Sequence, residues 1–486
     1  MENLDKDLKE LKEERTNNYL SLRKKKLNQY MLIKRLGLMN KNYAIKKEDI
    51  IVREEFKNKK FSDLPDLLNF CSGIFGDQKS DINDIKFAIV FLKLTQIKED
   101  KGEVSKSNII PAIAQVITKY INDIIIVDEL LSILIIFAYF LNIDTLMDLI
   151  NNYFLEIYSK LSVLYFKDKV IFHDLITLLG NLANNNRVAQ KIFYQTKLFE
   201  EIYNLINNEK APQELKDISI WFLCNFTVGI QKNNYFINNL VLFRNLVDIM
   251  VFYLDIEKYT EYCLEALRNL CEIESLVEYI LKKDKIFRFI CENTNSKYYI
   301  AMNKVIVNIS SYNENINIYL LENFKLIPYL LRLYQSSSHI IKGQVIFIIG
   351  NLFENHPSKV NEKLYNSGLC DIVFTNLDSP YVEILDKALF IFNVILISSD
   401  KEGIFRLFQK NIHLKLINIL KLDYSKDIIE KVIDAIIEFL QKDTNDRIIK
   451  ESFIDNGLKE VFSTLELDRN DVDIFMKVEA ILRIYL

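Results

Sequence analysis

The dominant pattern along the chain is an apolar segment interrupted by one asparagine, of the form apolar–x–x–apolar–Asn–apolar. It recurs as LLGNLANN at Asn181, FLCNFT at Asn225, ALRNLC at Asn269, VIVNIS at Asn308, IIGNLFEN at Asn351 and FIFNVI at Asn393. The intervals are 44, 44, 39, 43 and 42 residues. Asparagine is a poor helix former, so its regular return inside helical apolar runs is not accidental. After each asparagine comes a polar turn and then an amphipathic helix, as in 313–324 and 358–369. A strongly apolar helix follows, as in 325–335 and 197–206. Pro111, Pro212, Pro328, Pro357 and Pro380 fall where helices begin. Residues 130–142 extend the series upstream without the asparagine, and 428–442 extend it downstream with Glu438 in its place. Segments 63–76 and 475–486 are expected to cap the two ends.

A period near 42 residues, with two or three helices in each unit, is that of armadillo and HEAT arrays. The predicted fold class is all-α: an armadillo-repeat, right-handed superhelical solenoid of about eight to ten repeats over residues 61–486. A flexible basic tail over residues 1–60, largely disordered when free, precedes it. In such an array the third helices line one long concave surface. An asparagine amide there has the donors and the acceptor to bridge the backbone of an extended peptide. The alternative, left open by the pattern, is an asparagine ladder that joins repeat to repeat.

Composition narrows the picture. Half of the 486 residues are apolar, and 11 glycines and 6 prolines are too few for a turn-rich β architecture. The six cysteines form no CxxC and lie mostly in apolar runs, which reads as buried, reduced and structural. The charged N-terminus has no apolar signal-peptide core, and the longest apolar runs are short for a membrane span. The formal charge of −4 hides an asymmetry: residues 1–60 carry 17 Lys/Arg against 10 Asp/Glu, a balance of +7, which leaves −11 for the rest. A basic tail on an acidic body invites self-association or an acidic partner.

Two features resemble the importin-α (karyopherin-α) family over nearly the whole length. IWFLCNFT looks like that family's Trp-x-x-x-Asn element, and LLGNLANN and IIGNLFEN look like its Gly-Asn variants. LRKKKLNQYMLIKRL (22–36) resembles the C-terminal half of its importin-β-binding tail, with Arg23, Lys24, Lys26, Lys34 and Arg35 on matching positions and Lys25 in the same run. EERTNN (13–18) resembles an upstream element, although the arginine-rich stretch between the two is shortened. The resemblance implies a nuclear import adaptor that shuttles between cytoplasm and nucleus. Its groove would hold basic nuclear-localisation peptides of cargo proteins. Its tail would bind importin-β and, in its absence, the adaptor's own groove. The implied groove residues are Asn181, Trp221, Asn225, Asn269, Asn308, Phe347, Asn351 and Asn393, to which helical spacing adds Glu261 and Glu265. Indoles would clasp lysine stems, and carboxylates would face the ammonium groups.

The chain departs from that family where the indoles should stand. The positions four before each asparagine, or before Glu438, hold Thr177, Trp221, Glu265, Lys304, Phe347, Leu389 and Asp434, so one tryptophan is left. Trp221 is expected to face the groove with Asn225. The stripes Asp217/Trp221/Asn225, Glu261/Glu265/Asn269 and Glu430/Asp434/Glu438 would place carboxylates where indoles are missing and make binding salt-sensitive. The bland reading is that these acids are merely solvated. His173, His339, His356 and His413 lie far apart, and no phosphate loop, nucleophile elbow or metal-ligand spacing is present. The expectation is therefore a binding protein rather than an enzyme, without cofactor, metal, membrane or direct nucleic-acid partner. A non-transport armadillo scaffold, binding another extended peptide or protein, is the alternative.

Overall fold

A computed structural model describes residues 61–94, 103–140, 149–165, 168–195, 197–236, 239–336, 338–354, 364–443, 447–465 and 472–485, apart from 151, 166–167, 185 and 234, together with Ile45 and Lys59. The tail residues Arg23, Lys24, Lys25, Lys26, Lys34 and Arg35, and also Pro357 and His356, lie outside this set. Among the described residues every element is helical. None of these helices is long and apolar enough to cross a membrane.

The helices come in threes. A first helix of eight to ten residues opens five of the units: Arg187–Tyr194, Glu274–Leu281, Glu314–Asn323, Lys401–Gln409 and Ile448–Asp455. A second helix follows, for example Lys197–Asn207, Leu326–Ser336 or Ile412–Leu420. The third carries the asparagine segment: Lys169–Ala183, Gln213–Phe226, Glu257–Leu270, Tyr299–Ser310, His339–Glu354 and Val382–Ser398. Ile124–Phe140 and Lys426–Lys442 hold the same place without it, as the pattern predicted. Side-chain caps fix where many helices start. Asp168, Asn186, Asn313 and Asp400 each accept from backbone N–H groups of the first turn. Pro212 and Pro380 stand just ahead of third helices, and Pro111 and Pro328 fall in the first turn of second helices, where a missing N–H costs little.

By internal contacts the chain divides between Asn225 and Phe226 into two compact units. In the first, the third helix Ile124–Phe140 packs on Lys169–Ala183. In the second, successive third helices pack in sequence from Glu257–Leu270 through Tyr299–Ser310, His339–Glu354 and Val382–Ser398 to Lys426–Lys442. Each buries apolar residues against both its own repeat and the next, so the core is continuous within a unit. All six cysteines are buried and unbridged, and burial pushes the Cys71 and Cys291 thiols up to about 12.

Two glycines set how closely third helices approach. A Cβ on Gly180 would stand 3.0 Å from Cη2 of Trp221 and closer still to Cζ3. A Cβ on Gly350 would meet Ile391 in the same way, 3.0 Å from Cγ1 and closer to Cδ1. The residue before the asparagine in LLGNLANN and IIGNLFEN is thus small so that the next repeat's third helix can press onto it. Gly180→Ala is expected to lower stability by about 1–3 kcal/mol through overpacking. Trp221, as the single tryptophan, reports the change directly: its emission should shift to the red in the variant.

His413 is buried against Phe408 and Phe453, with ring centroids 4.5 and 5.7 Å away, and its Nε2 lies 2.9 Å from Ser452 Oγ. Burial holds its pKa at about 4, below the ordinary 6.5. The unfolded chain therefore binds this proton first, and stability is full above pH 6.5 and lost as pH falls toward 4. Replacing His413 by Phe should flatten that part of the stability–pH curve measured by urea unfolding.

Candidate functional site

The third-helix surface is where the sequence placed its binding residues, and half of the ten are buried. Trp221 is 5% exposed, Asn225 1%, Asn269 2%, Asn351 5% and Glu265 8%. This corrects the expectation that Trp221 and Asn225 open together onto a groove. The indole is a wedge between repeats, seated on Gly180. Asn181, Asn308, Phe347 and Asn393 are half-buried, and Glu261 alone of the ten is exposed.

The amides account for this burial. Asn269 Nδ2 donates to Thr227 Oγ1 at 3.0 Å, and Asn308 Nδ2 donates to the Arg268 carbonyl at 3.0 Å. Asn351 Nδ2 donates to the Val307 carbonyl at 3.1 Å and to Ser310 Oγ at 3.0 Å. Asn393 Nδ2 reaches forward to the Lys431 carbonyl at 2.9 Å. The partners are 38 to 44 residues away, so each bond joins one repeat to its neighbour. A buried amide left unpaired costs about 1–3 kcal/mol, which makes the neighbouring repeat's oxygen the natural partner. Further hydrogen bonds join neighbouring repeats over 34 to 41 residues. Tyr312 donates to the Cys271 carbonyl at 2.7 Å, Asn317 to the Asn351 carbonyl at 3.1 Å, and Arg332 to the carbonyls of Cys291 and Asn293 at 3.0 and 3.2 Å.

Two buried amide atoms of these third helices stay unsatisfied. Asn181 Nδ2 and Asn393 Oδ1 have no hydrogen-bond partner among the described residues. Near Asn181, the His173 Nδ1 lies 3.2 Å from Asp174 Oδ1, and Thr177 Oγ1 donates to the His173 carbonyl.

The acid stripes are also engaged. Glu265 pairs with Arg268 at 3.3 Å. Lys477 Nζ sits between Glu430 and Asp434, at 2.8 and 2.7 Å, while Lys442 pairs with Glu438 at 3.4 Å. Lys431 pairs in turn with Asp386 at 2.6 Å. Burial alone would lower the Lys477 pKa, but the hydrogen bonds from its ammonium to Asp434 and Glu430 outweigh that and raise it. The stripe Glu430/Asp434/Glu438, read as open to ligand, is therefore neutralised by lysines of its own and the following repeat. Lys431 and Lys477 escaped the sequence reading. Their signal was present, since each lies 43 to 47 residues beyond its acidic partner, one repeat along.

No protein-family model matches the chain, and no curated protein sequence does. Among solved structures it is similar to an engineered protein at 16% identity, over 86% of this chain and 98% of that one, with a TM-score of 0.66. A designed armadillo repeat protein in complex with the peptide (KR)4 matches at 19% identity over 48% of this chain and 96% of its own, TM-score 0.42. A computationally designed armadillo repeat protein for modular peptide recognition matches at 17% over 48% and 97%, TM-score 0.43. The three-helix unit and its 42-residue period make the chain an all-α helical-repeat solenoid of the armadillo kind.

Asn351→Ala should cost about 1–3 kcal/mol in urea unfolding, because it strips two inter-repeat bonds from a buried site. Lys477→Met, which breaks a half-exposed ion pair, should cost under about 1 kcal/mol in the same assay.

Proposed function

We propose that the protein is a non-catalytic adaptor for nuclear import. Its repeat body holds a basic nuclear-localisation segment of a cargo protein along the third-helix surface. Its tail joins that complex to importin-β and gives a protein that shuttles between cytoplasm and nucleus. The observation that carries this reading is the sequence LRKKKLNQYMLIKRL, with Arg23, Lys24, Lys26, Lys34 and Arg35 in register, directly ahead of a helical-repeat body. Charge supports it, because a balance of +7 in residues 1–60 faces −11 in the remainder.

The burial of Trp221 and the inter-repeat engagement of the amides change how a cargo would be held. An extended peptide meets the exposed carboxylate of Glu261 rather than an open row of amides and indoles. Recognition then leans on charge and is weakened by salt. The same burial favours a second reading, a repeat scaffold without a transport role, whose asparagines serve only to join repeats.

The two readings separate in one pull-down. Full-length protein should retain importin-β, and the variant with Arg23, Lys24 and Lys26 all changed to Ala should lose it. Equal capture by both, or none by either, leaves the scaffold reading. A fluorescent Lys/Arg-rich localisation peptide should bind with micromolar affinity and weaken about tenfold in Glu261→Lys.

A further inference from the structure

The repeats are not uniform. In the unit that ends with the third helix Glu257–Leu270, the second and third helices are full length, 14 residues each, but the first is a single 3-10 turn, Ile230–Lys232. Five other units carry eight to ten residues of α-helix at this place. Beside the shortened turn opens a groove of about 980 Å³. The turn supplies one wall, through Ile230 and Gln231. The second helix supplies Phe243, the first helix Glu274–Leu281 lines the groove along its length, and the first helix Glu314–Asn323 adds Ile316 and Tyr319. Ile230, Phe243 and Ile316 are buried and form an apolar floor.

The rim is acidic. Glu272, Glu274 and Glu278 line the groove and are exposed, against one lining cation, Lys282. Glu272 is engaged by Gln231 and Arg268. Among the described residues the side chains of Glu274 and Glu278 have no hydrogen bond or ion pair. They stand one turn apart on the first helix Glu274–Leu281 and present two charges on one stripe.

We propose that this groove docks a short amphipathic helix from a partner protein, which takes the place of the first helix that this repeat lacks. The neighbouring units set its length at eight to ten residues, roughly 12–15 Å of helix. The apolar floor requires large aliphatic or aromatic side chains on one face. Glu274 and Glu278 require lysine or arginine at its edge, an arrangement of charge that selects a basic partner over an acidic one. A helix this short is marginal when free, so ordering costs hold the affinity in the micromolar range. The inference is independent of the import reading, since the groove shares no residue with the third-helix peptide surface.

A suitable probe is already written in the chain. Residues 186–195, NRVAQKIFYQ, contain a first helix with Arg187 and Lys191 on its polar side and Val188, Ile192 and Phe193 available to the floor. A fluorescein-labelled, terminally blocked peptide of this sequence, titrated into the full-length protein and followed by anisotropy, should saturate in the micromolar range. Affinity should drop about tenfold when Arg187 and Lys191 of the peptide are replaced by Glu, and about tenfold for the unchanged peptide when Glu274→Lys and Glu278→Lys are combined in the protein. Both protein positions are exposed, so the circular dichroism spectrum should stay helical, with the melt lowered only slightly, by the loss of one acid from the first turn. No saturation below about 1 mM peptide, or an affinity indifferent to Glu274→Lys/Glu278→Lys, overturns the proposal. So does a dimer in sedimentation of the free protein that Glu274→Lys/Glu278→Lys dissolves, because a second copy then fills the groove. Loss of importin-β capture with peptide affinity intact leaves it standing.

Discussion

The close approach of one repeat's third helix to the next is the constraint on which the rest of this structure depends. A helical repeat cannot bury its apolar stripe alone, so every unit must be pressed against its neighbours. That pressing brings backbone carbonyls and side-chain hydroxyls of one repeat within reach of polar groups on the next. Asn269, Asn308, Asn351 and Asn393 convert that proximity into hydrogen bonds at 2.9–3.1 Å. Gly180 and Gly350 make it sterically possible, one under Trp221 and the other under Ile391. Apolar burial supplies the attraction, and the amides supply register, since an asparagine shifted by one residue would leave a buried donor unpaired.

The same constraint governs the surface available to a partner. Amides used between repeats cannot also hold an incoming backbone, and carboxylates paired with Lys431, Lys442 and Lys477 offer little net charge. Recognition is left to the groups the solenoid does not consume: Glu261 and the acidic rim beside the shortened turn Ile230–Lys232. A repeat protein gains binding sites where its regularity fails, because a regular repeat satisfies its own polar groups.

Much of the architecture was legible beforehand. The period of Asn181 to Asn393, the apolar runs around it, the prolines ahead of helices and the scarcity of glycine all point to stacked helical units. The starts read at 197, 313 and 325 fall within one residue of those observed, the one read at 130 lies six residues inside its helix, and the one read at 358 lies outside the described residues. The site was legible only in part. The stripe rule correctly put Asp217, Trp221 and Asn225 near one line, but a helix in an array has neighbours on several sides. Spacing along one helix cannot tell a face that meets the next repeat from a face that meets solvent. Glu265 illustrates the point: its spacing predicts a groove carboxylate, and it lies 8% exposed against Arg268, three residues on.

What the sequence by itself determined is the set of elements and their rhythm, because helical periodicity, capping and repeat length are local properties written in neighbouring residues. What only the tertiary structure decided is the direction each polar group faces and the partner it takes. Asn351 finds Val307 and Ser310 some forty residues away, Lys477 finds Glu430 and Asp434, and Trp221 finds Gly180. Those pairings follow from how helices stack in three dimensions, where burial penalises any donor or charge that stacking leaves alone.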